Sequence, residues 1–278
     1  MRPDLTIEDA HLNGDGLAND VVIVNGEWVF RFAKNDMGRA MLAGELAALD
    51  LIANRSPIPV PCPVAREADA MAYRYLTGEP LTRWRFAMLD DPTQQRIAAQ
   101  LGAFLRCLHS IEPQGNLRVV TPAQRQARWL QRRGEIEATL TPHLLPFQRE
   151  WMAHLFDDAL SDASFFDYAP RLVNDDLAPY HLLFDAHKGE LSGVIDFGTA
   201  HFDDPACDLG CLMQHYGESF VTRLFDTYPD AQTLLPCARF YAQAIELDWA
   251  ALGIERNETF WFTAHLGNVR DVRFPILP

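Results

Sequence analysis

Three side chains that could transfer a phosphoryl group lie within one short part of the sequence. Asp176 follows an apolar run, Asp196 follows another 20 residues later, and His181 lies between them. Loops that end neighbouring buried strands would hold these side chains around one small volume. One carboxylate could then orient an attacking hydroxyl, while Asp196 and a second ligand hold Mg²⁺ against phosphate oxygens. The spacing is therefore typical of phosphoryl transfer.

The segments around these residues are short and apolar. Residues 170–198 read as small strands with acidic loops, and residues 186–190 read as a turn between two of them. Apolar residues at helical spacing predict helices on both sides of this block. The predicted helices cover residues 93–111, about 121–137, about 145–160, 241–254 and 258–272.

The first 80 residues have a different pattern, with strand signals and a single predicted helix. Residues 20–34 contain two apolar runs joined by Asn25-Gly26, a strong signal for a β-hairpin. Residues 38–55 predict one helix, which a proline-rich extended segment ends. The chain is therefore expected to be an α+β protein. Its small β-rich N-terminal lobe would cover residues 1–77, and its larger, mainly helical C-terminal lobe residues 78–278.

The charge is unevenly distributed along the 278 residues. Residues 1–150 contain 17 basic and 18 acidic side chains, whereas residues 151–278 contain 7 and 20, within a formal net charge of −14. A strongly acidic half repels phosphate backbones, so nucleic acid is not an expected partner. A cationic small molecule would instead be attracted to it.

The remaining bulk features predict a cytoplasmic protein, with a monomer as the default. The N-terminus is polar and has no signal-peptide pattern, and no apolar run is long enough to cross a membrane. Five scattered cysteines do not suggest a disulfide framework. Cys207 and Cys211, one helical turn apart, are interpreted as core thiols.

The block from residue 172 to 208 resembles the aminoglycoside phosphotransferase family, within the protein-kinase-like fold. Asn174 to His181 match the kinase pattern H-x-D-L-x-x-x-N, and Asp196-Phe197-Gly198 match D-F-G. The resemblance implies that Asp176 is the catalytic base and that His181 and Asp196 bind the metal. Asn174 replaces the usual histidine, and His181 replaces an asparagine. The second departure points toward the phosphotransferases that act on a 2″-hydroxyl.

Downstream, the resemblance extends to "DPACDL" at residues 204–209, a helix start typical of the family. Asp204 and Asp208 are expected to cap and brace the loop rather than react. Asp175 is interpreted as a solvated spacer.

The N-terminal half resembles the nucleotide-binding part of the same family. Gly14 and Gly16 would let backbone amides approach the phosphates of ATP or GTP. Either Arg31 or Lys34 would supply the cation for these phosphates, since strand alternation points them to opposite faces. Glu45 matches the helix glutamate that pairs with this cation. Tyr75 lies in the segment that resembles the purine-binding hinge.

The acceptor is predicted from charge more than from a motif. Aminoglycosides are polycations, and four acids of the C-terminal half are candidates for pairing with their ammonium groups. These acids are Asp203, Glu218, Glu246 and Asp248. Trp249 and Trp261 could line a sugar-sized cleft, although packing in the core is the more ordinary role for tryptophan.

Two other functions fit the same residues. The fold also phosphorylates macrolides, choline, homoserine and sugar-like metabolites, so the acceptor could be another small molecule. Alternatively, Asn174 and the incomplete glycine pattern would suit a catalytically inactive nucleotide-binding module.

Overall fold

The computed structural model describes residues 5–14, 16, 18–258, 261–262 and 264–265. Two strands, β2 (Asn19–Val24) and β3 (Trp28–Ala33), form the predicted hairpin. Asn25 and Gly26 both have positive φ, of 55° and 62°, as the tight turn requires.

A five-stranded antiparallel sheet forms around this hairpin. Its order is β1-β2-β3-β5-β4, with β1 at Ala10–Asn13, β4 at Ala65–Arg66 and β5 at Ala70–Arg74. Helix α1 (Asp36–Ile52) follows β3, and its N-cap Asn35 accepts a hydrogen bond from the Gly38 amide at 2.9 Å. The cap and the capping acid Asp36 fix the start of the helix that carries Glu45.

Beyond the sheet, the chain is mainly helical and confirms the predicted α+β class. The helices are α2 (Arg83–Met88), α3 (Asp91–His109), α4 (Pro122–Leu140), α5 (Pro146–Leu160), α6 (Ala206–Tyr216), α7 (Glu218–Arg223) and α8 (Leu235–Glu255). Within the described ranges, no helix is both long and apolar enough to span a membrane.

Two small sheets hold the loops with the chemistry. Strand β7 (Arg171–Val173) pairs with β10 (His201–Asp203), and β8 (Leu182–Asp185) lies between β6 (Glu79–Pro80) and β9 (Glu190–Val194). The β7–β8 loop carries Asp176, and the β9–β10 loop carries Asp196. Antiparallel pairing therefore brings the two loops together.

The hydrophobic core crosses from the first part of the chain into the second. Leu49 and Ile52 of α1 pack in one cluster with Phe104 of α3 and with Phe197 beside Asp196. A separate small cluster under the sheet contains Val29, Leu42, Met71 and Tyr73. Helix α1 is thus anchored on both sides of the predicted boundary at residues 77 and 78, which lies between β5 and β6.

Most predicted elements have counterparts at nearly the predicted positions. The helix predicted at 241–254 is longer, because α8 begins at Leu235. The helix predicted at 258–272 lies largely outside the described residues. All five cysteines are free, and Cys207 and Cys211 are buried, as expected for core thiols.

Candidate active site

Asn174 joins the two loops that carry the predicted catalytic and metal-binding residues. It is fully buried, its side-chain amide donates to the Asp196 carbonyl at 2.9 Å, and its Oδ1 accepts from the Asp176 amide at 3.0 Å. Thr199 Oγ1 donates to the Asn174 carbonyl at 2.7 Å. Asn174 therefore both donates and accepts hydrogen bonds, and it ties the loop of Asp176 to the loop of Asp196.

Asp208 holds the same loop through hydrogen bonds from backbone amides. Its Oδ1 accepts the Asp175 amide at 2.7 Å, and its Oδ2 accepts the Asn174 amide at 3.1 Å and lies 3.0 Å from His109 Nε2. The carboxylate is completely buried. Charge-assisted bonds of this kind hold a loop firmly, so Asp208 braces the loop, as the sequence predicted.

His181 lies between Asp176 and Asp196. Its Nδ1 is 2.8 Å from the Asp176 carbonyl and 3.6 Å from Asp176 Oδ2, and its Nε2 is 3.7 Å from Asp196 Oδ2. Since a carbonyl only accepts, Nδ1 carries the proton in the neutral ring. Nε2 then directs a lone pair toward Asp196, the orientation that a metal-binding histidine needs.

Burial and charge give the two aspartates different proton affinities. Burial raises the pKa of Asp176 to about 6, with a further contribution from Asp196, while His181 opposes the rise. Burial acts in the same direction on Asp196, but Arg31, His181 and the Gly198 amide together hold its pKa below the ordinary value. Asp196 therefore stays ionised, and Asp176 is the more basic carboxylate.

Arg31 lies beside Asp196 and Glu45. Its Nη1 donates to Glu45 Oε1 at 2.7 Å and its Nη2 to Asp196 Oδ2 at 3.3 Å. Burial opposes the charge of Arg31, but the two carboxylates outweigh it and keep its pKa above the ordinary value. Burial raises the pKa of Glu45, and the attraction of Arg31 opposes that rise. At 2.7 Å the pair is best described as ionised.

Lys34 points elsewhere. Its Nζ donates to the carbonyls of Gly14 and Gly16 at 2.5 and 2.6 Å, and it lies 3.4 Å from Asp20 Oδ1. Lys34 thus closes the glycine loop on itself, while Arg31 is the cation next to Asp196. The strand alternation left this choice open, and the fold separates the two side chains.

Tyr75 is half-buried at the end of the sheet. Its amide donates to the Glu27 carbonyl at 2.8 Å.

Comparison with known proteins identifies the family. A sequence model described as "Phosphotransferase enzyme family" matches residues 9–241. The chain belongs to this phosphotransferase family. Among curated relatives, the uncharacterized protein YcbJ of Bacillus subtilis (strain 168) is 23% identical over 81% of this chain and 76% of its own. Viomycin phosphotransferase of Streptomyces vinaceus is 26% identical over 67% and 65%.

Solved structures of phosphotransferases share the fold over almost the whole chain. The GDP complex of an aminoglycoside 2′-phosphotransferase IIIa mutant is 25% identical, with a TM-score of 0.85, over 97% of this chain and 92% of that one. A macrolide 2′-phosphotransferase from Brachybacterium faecium is 20% identical, with a TM-score of 0.72, over 95% and 93%. The protein-kinase-like fold predicted from the sequence is confirmed.

The acids predicted to bind an acceptor do not lie as free carboxylates beside the loops that carry Asp176 and Asp196. Asp203 is completely buried and binds Arg125, His201 and the Tyr168 hydroxyl. It braces the interior and is inaccessible to an acceptor. Its neighbour Asp204 caps α6 through the Ala206 amide at 2.9 Å, as predicted.

The other three predicted acids also have protein partners. Glu218 forms a two-pronged pair with Arg239, and Asp248 pairs with Arg132. Glu246 is mostly buried and accepts from Gln214 at 2.9 Å. Trp249 is partly exposed, and its ring meets that of Trp261 edge to face at 5.2 Å. Sequence alone could not reveal the two ion pairs, because the arginine partners of Glu218 and Asp248 are 21 and 116 residues away.

Asp175 was misinterpreted as a solvated spacer. It is half-buried, has a positive φ of 60°, and donates its amide to Asp208. Burial raises the pKa of its carboxyl group, against the attraction of Arg125 and His201. The positive φ explains why a residue with a short polar side chain occupies this position.

Proposed function

We propose that this phosphotransferase moves the terminal phosphoryl group of a nucleoside triphosphate to a hydroxyl of an aminoglycoside-type acceptor. The observation that carries the proposal is the geometry of Asp176, His181 and Asp196. One imidazole lies within 3.7 Å of both carboxylates, and buried Asn174 holds the two loops together. Phosphoryl transfer requires little covalent chemistry from the protein, so these residues would act by positioning the reactants and stabilising charge.

Asp176 is the proposed base. It would accept the proton of the acceptor hydroxyl as the new oxygen–phosphorus bond forms, while the bond to the departing nucleoside diphosphate breaks. With a pKa of about 6, its carboxyl group is ionised at neutral pH and more basic than an ordinary aspartate. Its side chain is 38% accessible, so the carboxylate can be reached from outside the protein.

Arg31 is the proposed cation for the nucleotide phosphates. Among the described side chains, Arg31 Nε and Glu45 Oε2 are buried polar atoms without a protein partner. Both atoms are closed off from solvent, so the support for this role is position: Arg31 Nη2 donates to Asp196 Oδ2 at 3.3 Å, beside the proposed Mg²⁺ site. Gly14, Gly16 and Lys34 would form the phosphate loop, and Tyr75 would contact the base of ATP or GTP through its carbonyl.

Asp196 and His181 are the proposed holders of Mg²⁺. Magnesium typically binds through one or two protein ligands plus substrate phosphates. This set therefore fits, although the described residues contain no cluster of three or more metal-binding side chains. When bound, the ion would neutralise charge on the transferred phosphate. The Nδ1–H bond to the Asp176 carbonyl would keep His181 turned toward Asp196.

The aminoglycoside class rests on two supports. One is the chemistry named for relatives, which include viomycin phosphotransferase and an aminoglycoside 2′-phosphotransferase. The other is the strongly acidic second half of the chain, which would attract a polycation. Glu246 is mostly buried and accepts from Gln214 and His265, so the acidic half supports the class through its overall charge rather than through one identified carboxylate.

A different small-molecule acceptor is the second candidate. Asp203, Glu218 and Asp248 each bind an arginine, so they offer a polycation less than their charges suggest. A macrolide or a hydroxylated metabolite would not depend on those acids. Macrolide 2′-phosphotransferases also share the fold.

One screen tests both candidates. Purified protein is incubated with Mg²⁺ and with ATP or GTP, crossed with aminoglycosides, macrolides and hydroxylated metabolites, and phosphorylated products are measured by mass spectrometry. Asp176→Asn is the inactive control, and Asp185→Asn, at the end of β8, is its matched active control. Transfer to an aminoglycoside supports the proposal, and transfer to another class supports the second candidate. Nucleotide binding without transfer to any acceptor would instead indicate an inactive module.

A further inference from the structure

A cavity of about 780 Å³ lies against helix α1 and against the residues that precede Asp176 and follow Asp196. One wall is the face of α1 that carries Ala40, Ala43 and Gly44, and the floor includes Asp175 and Gly198. This volume is within the range of small-molecule sites. None of the acids predicted to bind an acceptor lines it.

The mouth of the cavity is basic. Arg118 and Arg128 line it, and both are exposed. Within the described part of the chain, neither side chain forms an ion pair, in a protein with a formal net charge of −14. Two exposed arginines without a carboxylate partner beside one cavity can offer their charge to a ligand.

Helix α4 provides an internal comparison for Arg128. Its other basic side chains near this position all bind carboxylates of the protein, and they are Arg125, Arg132 and Arg133. Arg128 lies one turn from Arg125 on the same helix but turns to the cavity. Arg118 is fixed there by its backbone, because its carbonyl accepts the Phe202 amide at 2.9 Å.

From these observations we infer that the cavity beside α1 binds a small molecule through a carboxylate or phosphate group held by Arg118 and Arg128. Arginine's planar fork matches both oxyanions. The apolar wall of α1 would cover the rest of the molecule. The anionic group belongs either to the acceptor itself or to a separate effector, and both sources share this chemistry.

The site adjoins the machinery of the proposed reaction on two sides. Gly44 precedes Glu45, the partner of Arg31, and Asp175 precedes Asp176. Occupancy would therefore press on the helix and the loop that position the reacting groups. Asp175 is the acid within the lining, and it is half-buried whereas the two arginines are exposed.

Calorimetric titration with inorganic phosphate and with malate tests the inference. The full chain is first saturated with Mg²⁺ and a non-hydrolysable nucleoside triphosphate, so that the nucleotide site is filled. We expect both anions to bind, and Arg118→Ala/Arg128→Ala to weaken binding by about tenfold or more. Arg118→Lys/Arg128→Lys should recover part of that affinity, because charge remains without the fork.

Two further variants separate this site from general charge effects. Arg55 and Arg106 are also exposed, and they line a different cavity of about 350 Å³. Arg55→Ala/Arg106→Ala should leave the affinity unchanged. A Cβ at Gly44 meets nothing within 4 Å, so Gly44→Leu should keep the fold and exclude malate by filling the cavity. Absence of binding, or equal losses in the two double variants, would overturn the inference.

A turnover assay then identifies the source of the anionic group. Phosphorylation of malate or another hydroxy acid assigns the group to the acceptor. An anion that stays unmodified but changes kcat or KM for a phosphorylated acceptor assigns it to an effector. The calorimetric result does not depend on finding any acceptor, so this inference and the proposed aminoglycoside activity can fail separately.

Discussion

Two acidic regions of the protein hold their carboxylates in opposite ways. In the loops around Asp176, Asp208 accepts backbone amides of residues 174 and 175, and Asp196 accepts the amide of Gly198. On the helical surface, Glu218 and Asp248 meet flexible arginine side chains instead. Backbone donors are fixed by the fold, whereas two long side chains must be ordered to meet.

The loops control where individual carboxylates lie, whereas the helical surface mainly contributes overall negative charge. The loops keep a few carboxylates at defined places, where burial can raise the pKa of one and a neighbouring arginine can lower that of another. The helical surface keeps many carboxylates in solvent, where each pair contributes little stability. Substitutions in the two regions should therefore differ both in size and in kind.

The largest effect is expected from Asp176→Asn. Loss of the base should lower kcat by roughly 10²- to 10⁴-fold, with the melting temperature unchanged or raised, because a buried carboxylate is removed. Steady-state kinetics and thermal unfolding measure the two quantities, with Asp185→Asn as the control. A variant that retained the parental kcat would remove Asp176 from the catalytic role.

Asp208→Ala should mainly affect stability. The change leaves two backbone amides and His109 without their buried acceptor, so the free energy of unfolding should fall by about 3 kcal/mol. Urea denaturation measures this loss. Asp208→Asn retains one acceptor and should lose less. Equal stability of Asp208→Ala and the parent would contradict the bracing role.

The pH dependence should follow Asp176. Because the base must be ionised and burial raises its pKa to about 6, kcat/KM should be constant above that pH and fall about tenfold per unit below it. Bound Mg²⁺ would move the midpoint downward by favouring the ionised form. A rate that stays level from pH 7 to pH 4 would argue against a raised pKa.

The smallest effects are expected on the helical surface. Glu218→Gln and Asp248→Asn should each change the free energy of unfolding by less than about 1 kcal/mol in urea denaturation. If the acceptor is a polycation steered by overall charge, the double variant should raise its KM modestly and less at high salt. A stability loss as large as that of Asp208→Ala would contradict the expectation that the helical surface contributes less stability than the loops.

Much of the fold was predictable because its signals are local. Asn25-Gly26 specifies a tight turn by its own backbone preferences, and the helices follow from apolar spacing. The family could be recognised from residues 172–208, since the loop motif is contiguous. The assignments of Asp176, His181 and Asp196 to catalysis and metal binding remain predictions that the geometry supports.

Other features depend on contacts between distant residues. Strand alternation separates Arg31 from Lys34 but does not say which faces Asp196, because that contact spans 165 residues. Asp203 was predicted to bind an acceptor, but it pairs with Arg125, which is 78 residues away. The same holds for Asp175, whose burial comes from elements that pack around its loop.

The sequence by itself determined the α+β class and the family, and it predicted the short segment for phosphoryl-transfer chemistry, because these signals lie in neighbouring residues. Only the tertiary structure decided which charged side chains are neutralised inside the protein and which are left to face a cavity. Whether a charged side chain finds a partner depends on the fold. Asp203 is buried in an ion pair whereas Arg128 lines a cavity, and their local sequences do not encode this difference.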